Sequence, residues 1–448
     1  MTVDSSSTSE KAAVSSPGAL PHRGRAWLIT GMLLVFMLIN FGDKAILGLA
    51  ATPIMHDLGL SASQYGMLSS GFFALFSISA ITVGFMTNRV PSKWVLAVIA
   101  VIWALTQLPM LANVGFVAIL ASRVVLGAAE GPANPLAMHA VQKWFPNERR
   151  SLPCSIVNLG SALGVVVLAP VMTSIIIAFG WRWAFFAMFV IGLLWVAVWL
   201  VVGREGPFGN EEITTEVNDV EGARSVAEPS LSYRRIFLSG TSLSVLLAGF
   251  AVYWALALLI SWVPVYLEGP LGYSARSTGL LIVLPWAVSG VLILAQGALT
   301  DTLMRRGVSS RRARGVLGAC CTLLAGTAMV LLPAAPSGIP TLVFLTLAFS
   351  VGGVQFAIGA TMTAEIVPVR QRAAVLATQT GLLSTAGLIA PYVTGRIVDA
   401  AGGASSAAGF NSAFTIAGVA MLIGGVFAAV FARPERDAAR LRDSAATG

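Results

Sequence analysis

Charge is what this sequence has least of. Asp, Glu, Lys and Arg make up 11% of its 448 residues, against about 25% in a soluble domain. Hydrophobic residues make up 56%, and the mean hydropathy is +0.82. These values exclude a soluble enzyme with a membrane tail and point to a chain that crosses a bilayer many times. Cysteine is almost missing. Cys154, Cys320 and Cys321 all fall in apolar runs, which excludes a disulfide framework or a metal-ligand spacing. Histidine is scarce too. His56 lies near the end of the first apolar run, and His139 stands two and a half helical turns past Glu130, on the other side of a helix. Neither is placed as a proton shuttle. No Ser/His/Asp cluster and no soluble signalling domain is visible, so neither an enzyme nor a receptor finds support. No cofactor is expected.

What is present is a series of apolar runs. Twelve reach the length of a transmembrane helix, at about 26–50, 63–86, 93–112, 115–142, 151–179, 183–203, 238–266, 276–300, 314–332, 340–366, 372–398 and 409–431. The first is too long for a signal-peptide core and lacks a convincing cleavage site, so it is expected to stay in place. The polar, Ser/Ala-rich residues 1–25 read as a disordered tail. A hydrophilic linker, 204–237, separates two six-helix bundles at 26–203 and 238–431, and 432–448 form a second tail.

The net charge of +8 follows the loops. Alternate loops carry Lys11, Arg23 and Arg25, then Lys93, Lys143, Arg149 and Arg150, then Arg234 and Arg235, Arg311 and Arg312, Arg433 and Arg442. The opposite loops hold Arg182, Arg276 and Arg396. By the positive-inside rule both termini and the linker are cytoplasmic. The excess of basic residues is thus a topology signal, and no nucleic-acid partner is expected. The expected setting is a bacterial inner membrane and a monomer in the lipid bilayer.

Against this apolar background, run 115–142 places Arg123 and Glu130 in the hydrocarbon core, where an ionisable residue is costly and marks a functional hypothesis. Seven residues are two turns, so the pair shares a helix face about 10 Å apart along the axis. Pro132 and Pro135 follow directly and should kink the helix beside the acid. Asp43 and Lys44, in the first run, are consecutive and about 100° apart in azimuth, so both cannot face one point. Two readings of these charges remain open: a proton-sensitive switch, or a static ion pair that bolts two helices together. Gly127/Gly131 and Gly160/Gly164 are small-residue faces suited to close helix packing.

The halves repeat, with Gly84–Arg89 closing run two and Gly297–Asp301 closing run eight. Here the chain resembles the major facilitator superfamily and, within it, the anion:cation symporter family, over about residues 26–431. The resemblance rests on several stretches in order. They are Asn40-Phe41-Gly42-Asp43-Lys44; the R-x-x-x-G-x-x-E-x-P pattern from Arg123 to Pro132; Trp144-Phe145-Pro146 with Glu148 and Arg149; and Ser261-Trp262-Val263-Pro264. The loop GFMTNRVPSK departs from the superfamily pattern, with Asn88 for its aspartate and Pro91 for its second glycine.

The resemblance implies the major facilitator fold, all-α, with twelve transmembrane helices in two pseudo-symmetric bundles that rock about a central site. It implies proton-coupled import of a small organic anion. Asp43 and Glu130 would take protons, Arg123 would pair with Glu130, and Lys44 stands where an anion-binding arginine is usual. Pocket candidates are Phe41, Phe76, Asn158, Ser161, Tyr253, Trp254, Gln355, Thr380 and Ser384. Several replace polar residues common in sugar-acid carriers, which favours an aromatic or otherwise apolar monocarboxylate. Arg89, Asp301, Glu148, Arg149, Glu365 and Arg372 would form a cytoplasmic gate. An exporter or exchanger of organic anions or drugs is the alternative.

Overall fold

The computed structural model describes residues 23–86, 90–112, 114–146, 149–208 and 231–446, all as helices and the turns between them. Residues 1–22, most of the linker, Arg89 and Glu148 lie outside the described residues. Eleven helices there are long and apolar enough to cross a bilayer. Span one is Arg23–Leu49, span three Ser92–Leu111, span four Phe116–Gln142, span five Leu152–Phe179 and span six Trp181–Val202. Span seven is Gly240–Ser261, span eight Ala275–Arg305, span nine Arg311–Ala334, span ten Ile339–Ile366, span eleven Ala374–Ala400 and span twelve Ala407–Phe431. Span two is built from two shorter helices, Ala62–Phe73 and Phe76–Met86, interrupted at Ala74–Leu75. Twelve spans form the two six-helix bundles. Their outer faces carry exposed aliphatic side chains such as Val117, Val201 and Leu294, the surface that hydrocarbon solvates in place of water.

Two further interruptions accompany prolines. Span three breaks at Thr106–Gln107, ahead of Pro109, and span four breaks at Gly131–Pro132, one residue past Glu130. A missing amide donor and a ring clash with the preceding turn cause such breaks. The small-residue faces let backbones touch. A methyl group on Gly127 would overlap the carbonyl oxygen of Phe72, which fixes span four against span two. One on Gly164 would come within 2.5 Å of the Leu38 carbonyl oxygen, on span one.

The two bundles are joined at one end of the seam. The Asp399 carboxylate, on span eleven, accepts from the backbone amides of Ala62 and Ser63 at 2.9 and 2.8 Å. It thereby caps the first turn of span two from the other bundle, while Ser61 supplies its own capping box. Tyr65 Oη donates to the Ser261 carbonyl at 3.0 Å and its ring meets Trp262 edge-on at 5.1 Å, while Trp262 Nε1 donates to the Pro391 carbonyl at 3.0 Å within the C-terminal bundle. Nearer the middle, Ser77 and Ser384 form a hydroxyl–hydroxyl contact across the seam. Further along span eight the space around Gly297 is open.

Candidate functional site

Span one brings its two charges to the N-terminal bundle's interior, and its helical twist sends them to different neighbours. Asp43, Arg123 and Glu130 are buried to within 2% of full exclusion from solvent. The Asp43 carboxylate accepts from the side-chain amide of Gln107 at 2.9 and 3.0 Å. The same amide nitrogen lies 3.2 Å from the Trp103 carbonyl, and the Gln107 oxygen accepts from Arg123 Nη2 at 3.3 Å. Lys44 Nζ sits 2.9 Å from Glu130 Oε2 and donates to Asn40 Oδ1 at 2.5 Å. Three rings surround that ammonium, with centroids at 4.4 Å for Phe41, 5.8 Å for Phe76 and 5.9 Å for Phe72. Cation–π contact of this kind contributes about 0.5–2 kcal/mol. Arg123 lies 5.5 Å over the Phe185 ring.

The expected Arg123–Glu130 pair is therefore replaced. Glu130 pairs with Lys44, and Arg123 reaches Asp43 through Gln107. Two helical turns separate Arg123 from Glu130, more than an ion pair spans along one helix, whereas i+3 and i+4 positions touch. A partner on the adjacent helix at the right height wins. Gln107 did not enter the reading of the sequence, although a lone amide in an otherwise apolar run is a visible signal. Several polar atoms here have no hydrogen-bond partner among the described residues, among them Asn40 Nδ2, Trp103 Nε1, Arg123 Nε and Glu130 Oε1, while Glu130 Oε2 has the Lys44 ammonium as its ion-pair partner.

A cavity opens beside the charges. Asp43, Lys44, Arg123, Ser69, Phe72 and Phe73 line it from one bundle, and Ala257, Ile260, Ser261 and Pro391 from the other. Around it aromatic side chains meet across the seam. Phe41 meets Trp286 edge-on at 5.9 Å, and Tyr253 meets both Phe73 and Phe356 edge-on at 5.9 Å. Phe76 packs on Phe72 and Phe73. Trp254 rests against Phe250 within span seven.

The polar pocket candidates are dispersed. Asn158 accepts from Asn134 at 2.9 Å, tying span five to span four. Ser384 takes part in the seam contact with Ser77. Thr380 is exposed and bonds to the carbonyl of Leu376 in its own helix at 2.9 Å. Ser161 is partly buried on span five. Gln355 is buried against Gly318 of span nine, with both amide atoms unpaired among the described residues, and does not line the cavity.

Of the expected gate, Glu365 accepts from Arg314 at 2.9 Å and from Ser310 at 2.6 Å, both within the C-terminal bundle. It ties spans nine and ten together. Asp301 is exposed on span eight, Arg149 lies just past span four, and Arg372 Nε is buried without a partner among the described residues. Among the described residues, the contacts that cross between the bundles lie around Asp399, Tyr65 and Trp262 at the opposite end and, nearer the middle, at Ser77–Ser384, Phe73–Tyr253 and Phe41–Trp286.

Two bundles with lipid-facing flanks, one sealed end and buried charges beside a cavity at their seam define a membrane transporter, not an enzyme. The chain belongs to the Major Facilitator Superfamily, whose family model matches residues 32–321 and 308–447. It is 30% identical to the "Hexuronate transporter" of Bacillus subtilis (strain 168), over 90% of this chain and 94% of that protein. It is 27% identical to the "Probable sulfoacetate transporter SauU" of Cupriavidus necator (strain ATCC 17699), over 91% and 94% of the two chains. In fold it resembles a crystal structure of a bacterial homologue of the human lysosomal transporter Spinster in an inward-facing, occupied conformation. That match has a TM-score of 0.71 and 18% identity, and covers 96% of this chain and 99% of the other. These relatives are transporters, and this chain is a transporter of the same superfamily.

Proposed function

We propose that the protein is a proton-coupled importer of an organic monocarboxylate with an apolar, preferably aromatic, body. The observation that carries this reading is the buried set of two acids and two bases beside the cavity. Asp43 and Glu130 balance Lys44 and Arg123, so the empty site is neutral. One proton on Glu130 leaves a charge of +1, and a monocarboxylate restores neutrality. Proton and anion each lower the cost of the other's entry, which is a coupling free energy and is reciprocal. Lys44 supplies a point charge and Arg123 a planar donor set. A carboxylate at Lys44 competes with Glu130 for the ammonium, and protonation of Glu130 removes that competitor.

The driving force follows from the same arithmetic. A monovalent anion entering an inside-negative cell climbs about 2.3 kcal/mol per 100 mV; one accompanying proton cancels that cost and a second reverses it. By the loop charges the termini are cytoplasmic and the sealed end faces outward, which makes the conformation inward-facing. The aromatic walls offer few partners for hydroxyls, and unpaired polar groups in a buried site are penalised. The hexuronate-transporting relative favours a second reading, a sugar acid, for which the Asn134–Asn158 pair would bind hydroxyls.

The test is uptake of labelled benzoate and D-glucuronate into proteoliposomes containing the full chain, with a proton gradient and an inside-negative potential. Benzoate accumulates and an ionophore abolishes the accumulation. Accumulation that survives collapse of the gradient refutes proton coupling. Accumulation of glucuronate alone moves the substrate to the sugar acids, and outward transport alone makes the protein an exporter.

A further inference from the structure

We propose that Gln107 decides which of the two buried acids carries the proton. It holds Asp43 as a hydrogen-bond acceptor and leaves Glu130 as the proton-bearing group. This rests on the reading of the charge cluster as the proton site.

The argument is one of donors and acceptors. A glutamine amide offers two N–H donors on one side and an acceptor oxygen on the other. Here the nitrogen faces three acceptors, both oxygens of Asp43 at 3.0 and 2.9 Å and the Trp103 carbonyl at 3.2 Å. The oxygen faces a donor, Arg123 Nη2, at 3.3 Å. Rotating the amide by 180° would set oxygen against three acceptors and nitrogen against a guanidinium, so one orientation alone satisfies the network. In that orientation a proton on Asp43 has no acceptor at Gln107 and removes one of the acceptors that the amide uses. In a site this buried an unmade hydrogen bond is expensive.

Glu130 is free of this constraint. Oε2 faces Lys44, while Oε1 has no hydrogen-bond partner among the described residues. A proton on Oε1 therefore displaces no hydrogen bond that the structure makes, whereas one on Asp43 does. The groups facing Asp43 are then Gln107 from span three, Arg123 and Glu130 from span four, and Lys44 from its own helix. The backbone helps to place the amide. Span three is interrupted at Thr106–Gln107, ahead of Pro109, so the side chain projects from a break and not from a regular turn. Gln107 is thus a positioning residue: it touches neither proton nor anion and acts through Asp43.

The test reads protonation directly and needs no substrate. Infrared difference spectra of the purified full-length protein, titrated in pH, report the C=O stretch of each buried protonated carboxyl. The wild-type protein shows one such band, which is lost in Glu130→Gln and kept in Asp43→Asn. Gln107→Met, of similar volume and without the amide, moves protonation onto Asp43, giving a band that the added Asp43→Asn change removes. If Gln107→Met does not fold, Gln107→Glu, which replaces the donor with an acceptor, gives the same transfer. A wild-type band that vanishes in Asp43→Asn overturns the proposal. So does a folded Gln107 variant whose titration matches the wild type. If the bands behave as stated but uptake ignores the proton gradient, the transport reading fails and the role of Gln107 stands.

Discussion

Removal of one carboxylate, Asp399, should unseal the closed end of the transporter. Asp399 is partly buried and accepts two backbone amides from the first turn of span two, across the seam. Loss of a helix cap costs about 1 kcal/mol and sometimes about 2, and loss of an anion beside a helix N-terminus costs about 0.3–1 kcal/mol more. Both contacts exist only while the bundles touch, so their loss falls wholly on the closed state. Together they amount to about 2 kcal/mol. At about 1.4 kcal/mol per factor of ten, Asp399→Ala shifts the closed-to-open ratio of that end about 30-fold. A cysteine just inside the seal reports this. Ser69 lines the cavity one turn inward of Tyr65. In a background with Cys154, Cys320 and Cys321 replaced by alanine, Ser69→Cys is reacted in intact cells with an impermeant maleimide applied from outside. The labelling rate rises about 30-fold when Asp399→Ala is added and less with Asp399→Asn, which keeps an acceptor oxygen. An unchanged rate in Asp399→Ala refutes the seal.

Glu130→Gln removes the proton carrier; gradient-driven accumulation falls to equilibrium while substrate exchange persists, and normal accumulation of labelled substrate counts against the assignment. Lys44→Met leaves Glu130 facing aromatic rings without its cation, at a cost of about 3–5 kcal/mol while the acid is ionised. Its melting temperature falls and is restored in the Lys44→Met/Glu130→Gln double variant; equal losses in the single and double variants would contradict the ion pair. Gly127→Ala forces a methyl into the Phe72 carbonyl and destabilises by about 1–3 kcal/mol or more, read as a lower midpoint in thermal unfolding. At the sealed end Asp57 lies outside the spans, and the indole of Trp181, the first residue of span six, donates to it at 2.8 Å. With His56 and Arg182 it holds that carboxyl below its ordinary value. A depressed acid contributes stability above its unfolded value, near about 3.9, and loses it as the pH falls through the folded one. Trp181→Phe therefore melts lower than wild type at pH 6, with that part of the difference shrinking as the pH is taken below about 4.

Much of the molecule was legible in one dimension. Hydrocarbon demands long apolar helices with internally satisfied backbones, so twelve runs, the break beside Pro132 and the close helix contacts at Gly127 and Gly164 could be read from residue type and spacing. The same demand makes Asp43, Lys44, Arg123 and Glu130 conspicuous, because charges are rare where water is absent. Which charge meets which could not be read. Pairing depends on the height and rotation of one helix against another, and a shift of a few ångströms exchanges partners. Lys44 took Glu130, Arg123 was handed to Gln107, and Gln355 turned towards span nine instead of the cavity. The seal built by Asp399 was equally hidden, since its partners are backbone amides more than three hundred positions away. Sequence by itself determined the membrane fold and the short list of buried charges, because both follow from the solvent. Only the tertiary structure decided the hydrogen-bond order among those charges and which end of the seam is closed, because both arise from distances between helices that no spacing along the chain encodes.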